Sequence, residues 1–151
     1  MKAVLQRVTN ASVKVDGEIV GQIGKGFLVL LGAGCADTDK DAEKLADKIS
    51  KIRLFEDEEG KMNLSAGDID GEILVISQFT LYADSRKGNR PNFMNAMEPK
   101  EAERLYEYFV SLLEGKFKKI QKGIFGADMK VELLNDGPVT IILESNDGNI
   151  I

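Results

Sequence analysis

The stretch Glu72-Ile73-Leu74-Val75-Ile76-Ser77-Gln78-Phe79-Thr80-Leu81-Tyr82 begins as a strongly apolar run and ends in hydroxyl and amide side chains. We predict that residues 72–82 form a long, buried central strand. Buried polar groups need hydrogen-bond partners. Two interpretations of Ser77, Gln78 and Thr80 stay open at this point. They bond to neighbouring backbone, as threonine commonly does in strands, or they present an amide and a hydroxyl to a substrate.

The rest of the chain supplies two amphipathic helices and several further short strands. A helix is predicted after Asp37 or Thr38, with an apolar stripe that includes Leu45 and Ile49. A second helix is predicted from Pro99 to Gly115, since proline suits the first turn and glycine the C-terminus. Asp16-Gly17 predicts a hairpin. The predicted strands are 2–9, 11–15, 18–23, 27–31, 53–55, 116–122, 129–134 and 139–144.

These elements predict a single α+β domain over residues 1–151. Because the strands gather at both ends of the chain and do not alternate with helices, we expect an antiparallel or mixed, β-barrel-like sheet with two main helices. Residues 63–71 are predicted as a loop and 83–97 as irregular. The tail 145–149 is expected to fray.

Composition narrows the possible functions. The 151 residues carry a net charge of −5, which disfavours general binding to DNA or RNA, because such binding depends on neutralising phosphates. No run of about 18 apolar residues is present, so we expect no membrane span. The N-terminus becomes polar too early for a signal peptide, which makes the cytoplasm the expected location.

The chain has no histidine and one cysteine. The missing histidine removes Ser-His and Cys-His catalysis and nearly all zinc chemistry. We therefore expect neither a metal site nor a cofactor. Cys35 cannot form an internal disulfide, and its position after an apolar run predicts a buried, inert thiol rather than a nucleophile.

Gly32-Ala33-Gly34 lies between a predicted strand and a predicted helix and imitates a dinucleotide-binding fingerprint. The third glycine position is occupied by Asp37, whose carboxylate would repel a pyrophosphate. A hairpin precedes the motif, where such a fold requires a βαβ unit. A regulator that binds a nucleotide at Gly32–Asp37 is therefore the least favoured of the functions considered.

Three other segments could carry function. Asn135-Asp136-Gly137-Pro138-Val139-Thr140 predicts a turn between two strands, in which the Gly-Pro bond could be cis. Arg86-Lys87-Gly88-Asn89-Arg90 predicts either a solvated loop or a docking site for a few phosphates. Gly123-Ile124-Phe125-Gly126-Ala127-Asp128-Met129 predicts either core packing or a small pocket in which Phe125 or Met129 packs on a purine face.

Taken together, these stretches resemble the D-aminoacyl-tRNA deacylase family over nearly the whole chain. The resemblance begins with Met1-Lys2-Ala3-Val4-Leu5-Gln6-Arg7-Val8. It includes a Ser-Gln-x-Thr-Leu motif at 77–81 and an Asn-x-Gly-Pro-x-Thr motif at 135–140. Both motifs occur in order and without departure. The resemblance implies hydrolysis of the ester of D-aminoacyl-tRNA, and of glycine mischarged on tRNA.

The resemblance also implies a homodimer with two active sites at its interface. A cis Gly137-Pro138 would cross into the partner's site, where its backbone carbonyls would exclude an L side chain. Arg7 would hold that motif by bonds to backbone carbonyls. The substrate-binding residues expected on this basis are Gly137, Pro138, Asn135, Thr140, Arg7, Phe125 and Met129.

The chemistry implied by the resemblance fits a chain without histidine, because the ribose 2′-OH of the terminal adenosine can help activate water. The protein must then supply positioning and oxyanion stabilisation. Backbone amides at Phe79 and Thr80 are the expected donors, supported by Ser77 and Gln78. Thr80 could be a nucleophile, but no adjacent base activates it, so a positioning role is preferred.

Arg86, Lys87 and Arg90 are the expected contacts for phosphates of the tRNA acceptor end. The alternative function is a non-catalytic tRNA- or RNA-binding module, which would use the same basic loop without requiring the two motifs to meet.

Overall fold

A mixed seven-stranded β-sheet forms the frame of the structure, a computed structural model that describes residues 1–151. Its strands are β1 (Lys2–Val15), β2 (Glu18–Ile23), β3 (Gly26–Gly32), β6 (Glu72–Ser77), β7 (Ile120–Lys122), β8 (Lys130–Asn146) and β9 (Asn149–Ile150). Strands β4 (Arg53–Glu56) and β5 (Met62–Ser65) form a separate ribbon. Two α-helices, α1 (Asp39–Lys51) and α2 (Pro99–Glu114), complete the fold.

The order of strands across the sheet is β7-β6-β3-β1-β8-β9, and β2 pairs with the outer part of β1. Strand β1 runs antiparallel to β2, β3 and β8, whereas β3, β6 and β7 run parallel to one another. The predicted α+β class, with a curled mixed sheet and two main helices, is confirmed.

Strand β3 is apolar throughout because both of its faces are buried. Phe27, Val29 and Leu31 face the larger core, which the two helices cover. Leu28 faces a smaller cluster on the other side of the sheet, together with Val8, Ala11, Val13, Ile23, Leu74 and Ile76. The central strands are therefore held from both sides, and their ends provide fixed positions for a site.

Both helices begin where the sequence predicts. Thr38 is the N-cap of α1, and its backbone N–H donates to the Asp41 carboxylate at 2.9 Å. Pro99 occupies the first turn of α2, where the Glu98 carboxylate accepts hydrogen bonds from the amides of Lys100 and Glu101. Neither helix is long and apolar enough to cross a membrane.

The predicted central strand over 72–82 is too long. Strand β6 ends at Ser77, and Phe79–Tyr82 form one turn of 3₁₀ helix, here called the strand-end helix. Phe, Thr and Tyr favour strands locally, but the Gln78 amide donates to the Leu31 carbonyl at 2.7 Å, and the chain then folds back over the end of β3.

The prediction that residues 135–140 form a turn between two strands is wrong. The segment is a bulge inside β8, which pairs with β1 on both sides of it. Gln6 pairs with Thr140 and Val8 with Asn135, so two steps along β1 span five along β8. The extra residues are expelled from the ladder, and this bulge carries Gly137 and Pro138.

Four smaller predictions are also wrong in whole or in part. The tail does not fray, because Asn149 of β9 pairs with Asn146 of β8 and the Ser145 amide donates to the Met1 carbonyl at 2.9 Å. Cys35 is exposed rather than buried, since the chain leaves the sheet after Gly32 and turns toward α1. Part of the predicted 63–71 loop is strand β5, and only residues 120–122 of the predicted strand 116–122 are paired.

Candidate active site

The strand-end helix places the polar cluster of the sequence at one edge of the sheet. Ser77 and Gln78 are half-buried, whereas Phe79 and Thr80 are exposed. The Gln78 side-chain amide donates to the Thr80 hydroxyl. No carboxylate or lysine is among the hydrogen-bond partners of that hydroxyl, so the structure offers no base to activate it.

A cavity of about 280 Å³ opens beside this cluster. Ser77, Gln78 and Phe79 form one wall, and Phe125 and Met129 form the other. The structure thus brings together five residues that the sequence assigned to one site from two distant segments. The remaining lining residues are Ile76, Gly126, Ala127, Asp128 and Val131. A mostly apolar cavity with a few polar groups at one side is typical of small-ligand sites.

The glycine at the start of the second wall allows its close packing. A methyl group on Gly123 would collide with the Met129 sulfur and would lie 3.2 Å from the Ile76 side chain. Gly123 therefore lets the 123–129 segment fold tightly onto the end of β6. The two glycines that bracket Phe125 in the sequence were the signal for this wall.

The bulge in β8 is held by the polar residues of its own motif. The Val139 amide donates to the Asn135 side-chain oxygen at 3.0 Å, and the Asn135 amide donates to the Thr140 hydroxyl at 3.2 Å. The Gly137–Pro138 peptide is cis, and both residues are exposed. Asn135 and Thr140 thus fix the shape of a loop whose tip faces solvent.

The Arg7 side chain hydrogen-bonds to the backbone of the bulge. Arg7 is only 6% exposed, and its guanidinium donates to the Asp136 carbonyl at 2.9 Å and to the Leu54 carbonyl at 2.7 Å. The Asp136 carboxylate is a further 3.7 Å contact. A single buried cation therefore ties the bulge to strand β4. Nothing in the sequence singles out Leu54, because the group it contributes is a backbone carbonyl.

Within one chain, the bulge and the strand-end helix are far apart. One row of paired residues crosses the sheet from β6 to β8 through Ser77, Leu31, Ala3 and Leu143. Three strand spacings, about 14 Å, therefore separate β6 from β8. The bulge lies opposite Arg7, four residues or about 13 Å further along β1. The two motifs do not form one site within a single chain.

The basic loop follows the strand-end helix directly. A backbone bridge between Asp84 and Asn92 closes it. Arg86 makes a two-pronged ion pair with Asp84, at 2.9 and 2.7 Å, and the hydrogen bonds from Arg86 lower the pKa of the Asp84 carboxyl to about 2. Lys87 and Arg90 take part in no ion pair.

The chain is similar to known proteins over almost its full length. The model of the family described as D-Tyr-tRNA(Tyr) deacylase matches residues 4–144. A relative named D-aminoacyl-tRNA deacylase, from Clostridium botulinum (strain Eklund 17B / Type B), is 60% identical over 146 residues, which is 97% of this chain and 98% of the relative.

Two solved structures share the fold. One, titled c-Myc DNA Unwinding Element Binding Protein, is 49% identical with a TM-score of 0.92, over 97% of this chain and 99% of the other. The second, titled as a probable eukaryotic D-amino acid tRNA deacylase, is 18% identical with a TM-score of 0.78, over 93% and 97%. The family model and the relative at 60% identity decide the assignment: this chain belongs to the D-Tyr-tRNA(Tyr) deacylase family.

Proposed function

We propose that this protein hydrolyses the ester bond of D-aminoacyl-tRNA and releases the free D-amino acid and tRNA. The observation that carries the proposal is the cavity shared by Ser77–Phe79 and Phe125–Met129 in a chain of this family. An apolar wall with an aromatic ring and a thioether suits the adenine of the terminal nucleotide. The polar wall then lies beside the ester. The cytoplasm, where tRNA is charged, is the expected location.

In this proposal, the backbone amides of Phe79 and Thr80 stabilise the oxyanion that forms when water attacks the ester. These amides start the strand-end helix, whose first internal bond runs from the Leu81 amide to the Gln78 carbonyl at 3.2 Å. The i→i−3 pattern therefore leaves both amides free for an oxyanion. The substrate's own 2′-OH organises the attacking water, and Gln78 keeps the Thr80 hydroxyl oriented.

Chiral selection, in this proposal, comes from Gly137-Pro138 of a partner subunit in a homodimer. The separation of the two motifs within one chain supports this arrangement, because a subunit cannot close its own site. Leu134 and Ile142, on either side of the bulge, are 57% and 73% exposed, which supports an apolar contact surface around it. The carbonyls of the bulge would then exclude L side chains and admit D side chains and glycine.

The test is release of D-tyrosine from D-Tyr-tRNA, with L-Tyr-tRNA as the control substrate. We expect release from the D substrate and none above the spontaneous rate from the L substrate. Binding of tRNA without release would contradict the proposal and favour a non-catalytic RNA-binding module. Equal release from both substrates would contradict the exclusion of L side chains.

Thr80→Ala is expected to retain deacylation within about tenfold of the wild-type rate. The reason is that a hydroxyl without an adjacent base contributes positioning rather than nucleophilic attack. Single-turnover release from D-Tyr-tRNA measures the effect. Complete loss of activity with intact folding and tRNA binding, together with an acyl-enzyme trapped by rapid quenching of the wild type, would make Thr80 the nucleophile.

The basic loop is proposed to bind phosphates of the acceptor end through Lys87 and Arg90. Since Arg86 is already paired with Asp84, its charge is largely neutralised. The double substitution of Lys87 and Arg90 by glutamine should weaken tRNA binding and lower the slope of log K against log salt by up to about 2. Arg86→Gln should change that slope by less.

A matched control replaces Lys44 and Lys48 on the exposed face of α1, two lysines that also lack ion pairs. It should leave the salt dependence nearly unchanged, although it removes the same formal charge. Equal slopes in the two double variants would show that the loop has no specific part in binding.

A further inference from the structure

Gly32-Ala33-Gly34, the imitation of a dinucleotide fingerprint, lies directly against the strand-end helix. A methyl group on Gly32 would stand 2.9 Å from the Gln78 carbonyl oxygen and 3.1 Å from the Leu81 side chain. On Gly34 it would stand 2.5 Å from a ring carbon of Tyr82. The two glycines therefore let the strand-end helix lie directly on the end of β3, where side chains would hold it away.

Asp37 occupies the position where the fingerprint requires a third glycine, and it bonds to the last residue of the strand-end helix. One carboxylate oxygen accepts from the Tyr82 hydroxyl at 2.9 Å and from the Gly34 amide at 2.6 Å. The other accepts from the Met1 α-ammonium at 2.5 Å, and that ammonium also donates to the Ser145 carbonyl at 2.7 Å. The Asp37 side chain is only 9% exposed.

This arrangement is a nearly buried charge pair in which both Asp37 oxygens accept hydrogen bonds. Burial raises the pKa of the Tyr82 phenol, and the charge of Asp37 raises it further, so the hydroxyl remains a donor at physiological pH. Hydrogen bonds to a charged, desolvated carboxylate are stronger than those between neutral groups. The Tyr82 end of the strand-end helix is thus anchored at two points, by ring packing on Gly34 and by the bond to Asp37.

We propose that Gly34, Asp37 and Tyr82 are positioning residues that hold the strand-end helix so that the amides of Phe79 and Thr80 face the substrate ester. The proposal rests on the proposed function, because it concerns the same site. None of the three residues lines the cavity. Their effect on the reaction acts through the orientation of the helix, where small displacements of oxyanion donors have large effects on rate.

Tyr82→Phe tests the proposal, since it keeps the ring on Gly34 and removes only the bond to Asp37. We expect kcat for D-Tyr-tRNA to fall about tenfold, with KM changed by less than about twofold. Tyr108→Phe is the matched control, because the Tyr108 hydroxyl likewise donates to a carboxylate, Glu43, at 2.7 Å, but between the two helices. It should leave kcat unchanged.

Amide hydrogen exchange gives a second measurement that does not depend on catalysis. The Leu81 and Ala83 amides, which donate to the Gln78 and Thr80 carbonyls, report the closure of the strand-end helix. Their exchange should be about tenfold faster in Tyr82→Phe and unchanged in Tyr108→Phe. If the wild-type protein did not deacylate D-Tyr-tRNA, the proposed function would be contradicted. Hydrogen exchange of the Leu81 and Ala83 amides would still show whether the bond from Tyr82 to Asp37 holds the strand-end helix. The positioning role is overturned if Tyr82→Phe leaves kcat and exchange unchanged, or if both variants change equally.

Discussion

Replacement of Gly137 by alanine is expected to lower kcat/KM for D-Tyr-tRNA by about a hundredfold or more. The added methyl group would lie 2.7 Å from the Val139 side chain and 3.0 Å from the Val139 amide, and Gly137 has a φ of +137° that L residues rarely adopt. The bulge must therefore shift, and with it the carbonyls proposed to define the chiral pocket. A displacement of about 1 Å in a catalytic site can cost this much.

Gly60→Ala is the matched control for the Gly137 variant. Gly60 also has a positive φ, +76°, but a methyl group there would meet nothing within 4 Å. This control should cost about 1 kcal/mol of stability through backbone strain and leave kcat/KM unchanged. If Gly137→Ala retained wild-type turnover of D-Tyr-tRNA and wild-type rejection of L-Tyr-tRNA, exclusion by the bulge carbonyls would be wrong.

Mixing of two impaired variants, Gly137→Ala in the bulge and Gln78→Ala in the cavity wall, determines whether the bulge acts on the partner's site. In a heterodimer of Gly137→Ala and Gln78→Ala chains, one site would combine the unchanged Gln78 of the first chain with the unchanged Gly137 of the second. Random reassociation should therefore restore about a quarter of the wild-type sites. If both motifs acted within one chain, mixing would restore none. The result thus tests the separation seen across the sheet.

The sequence predicts elements well where local and tertiary preferences agree. Asp16 and Gly17 both have positive φ in the hairpin turn that their sequence indicates. The strand-end helix was missed because Phe79 to Tyr82 are good strand formers. Their conformation is set by contact with Gly32 and Gly34, which lie more than 40 positions away in the sequence. Such long-range contacts override local propensity.

The same contrast between local preference and long-range contacts holds for the candidate site. Local patterns marked the polar strand end and the aromatic between glycines as candidates but left packing and substrate roles open. The resemblance of the motifs to a known family assigned these side chains to one site. The shape of the 135–140 segment could not be predicted, since the same residue types form turns and bulges. The difference is decided by β1, which continues through residue 15 and pairs with both halves of β8.

Arg7→Lys is expected to lower the free energy of unfolding by about 1–3 kcal/mol and kcat/KM for D-Tyr-tRNA by about a hundredfold. The guanidinium reaches the Asp136 and Leu54 carbonyls with two different nitrogens. A lysine ammonium is a point charge on a flexible stem and does not reproduce this planar geometry. One buried carbonyl would lose its partner, and the bulge would lose its link to β4.

Arg53→Lys is the matched control for Arg7→Lys, because Arg53 is exposed, adjoins Leu54 on the same strand and makes no ion pair. It should change stability by less than about 0.5 kcal/mol and leave turnover intact. Urea unfolding gives the stability, and single-turnover release gives the rate at a temperature where all variants are folded. A folded Arg7→Lys protein with wild-type turnover would mean that the bulge keeps its shape through Asn135 and Thr140 alone. A loss of turnover beyond the fraction unfolded would instead assign Arg7 to holding the bulge in its active shape, since the guanidinium itself is buried beneath the loop.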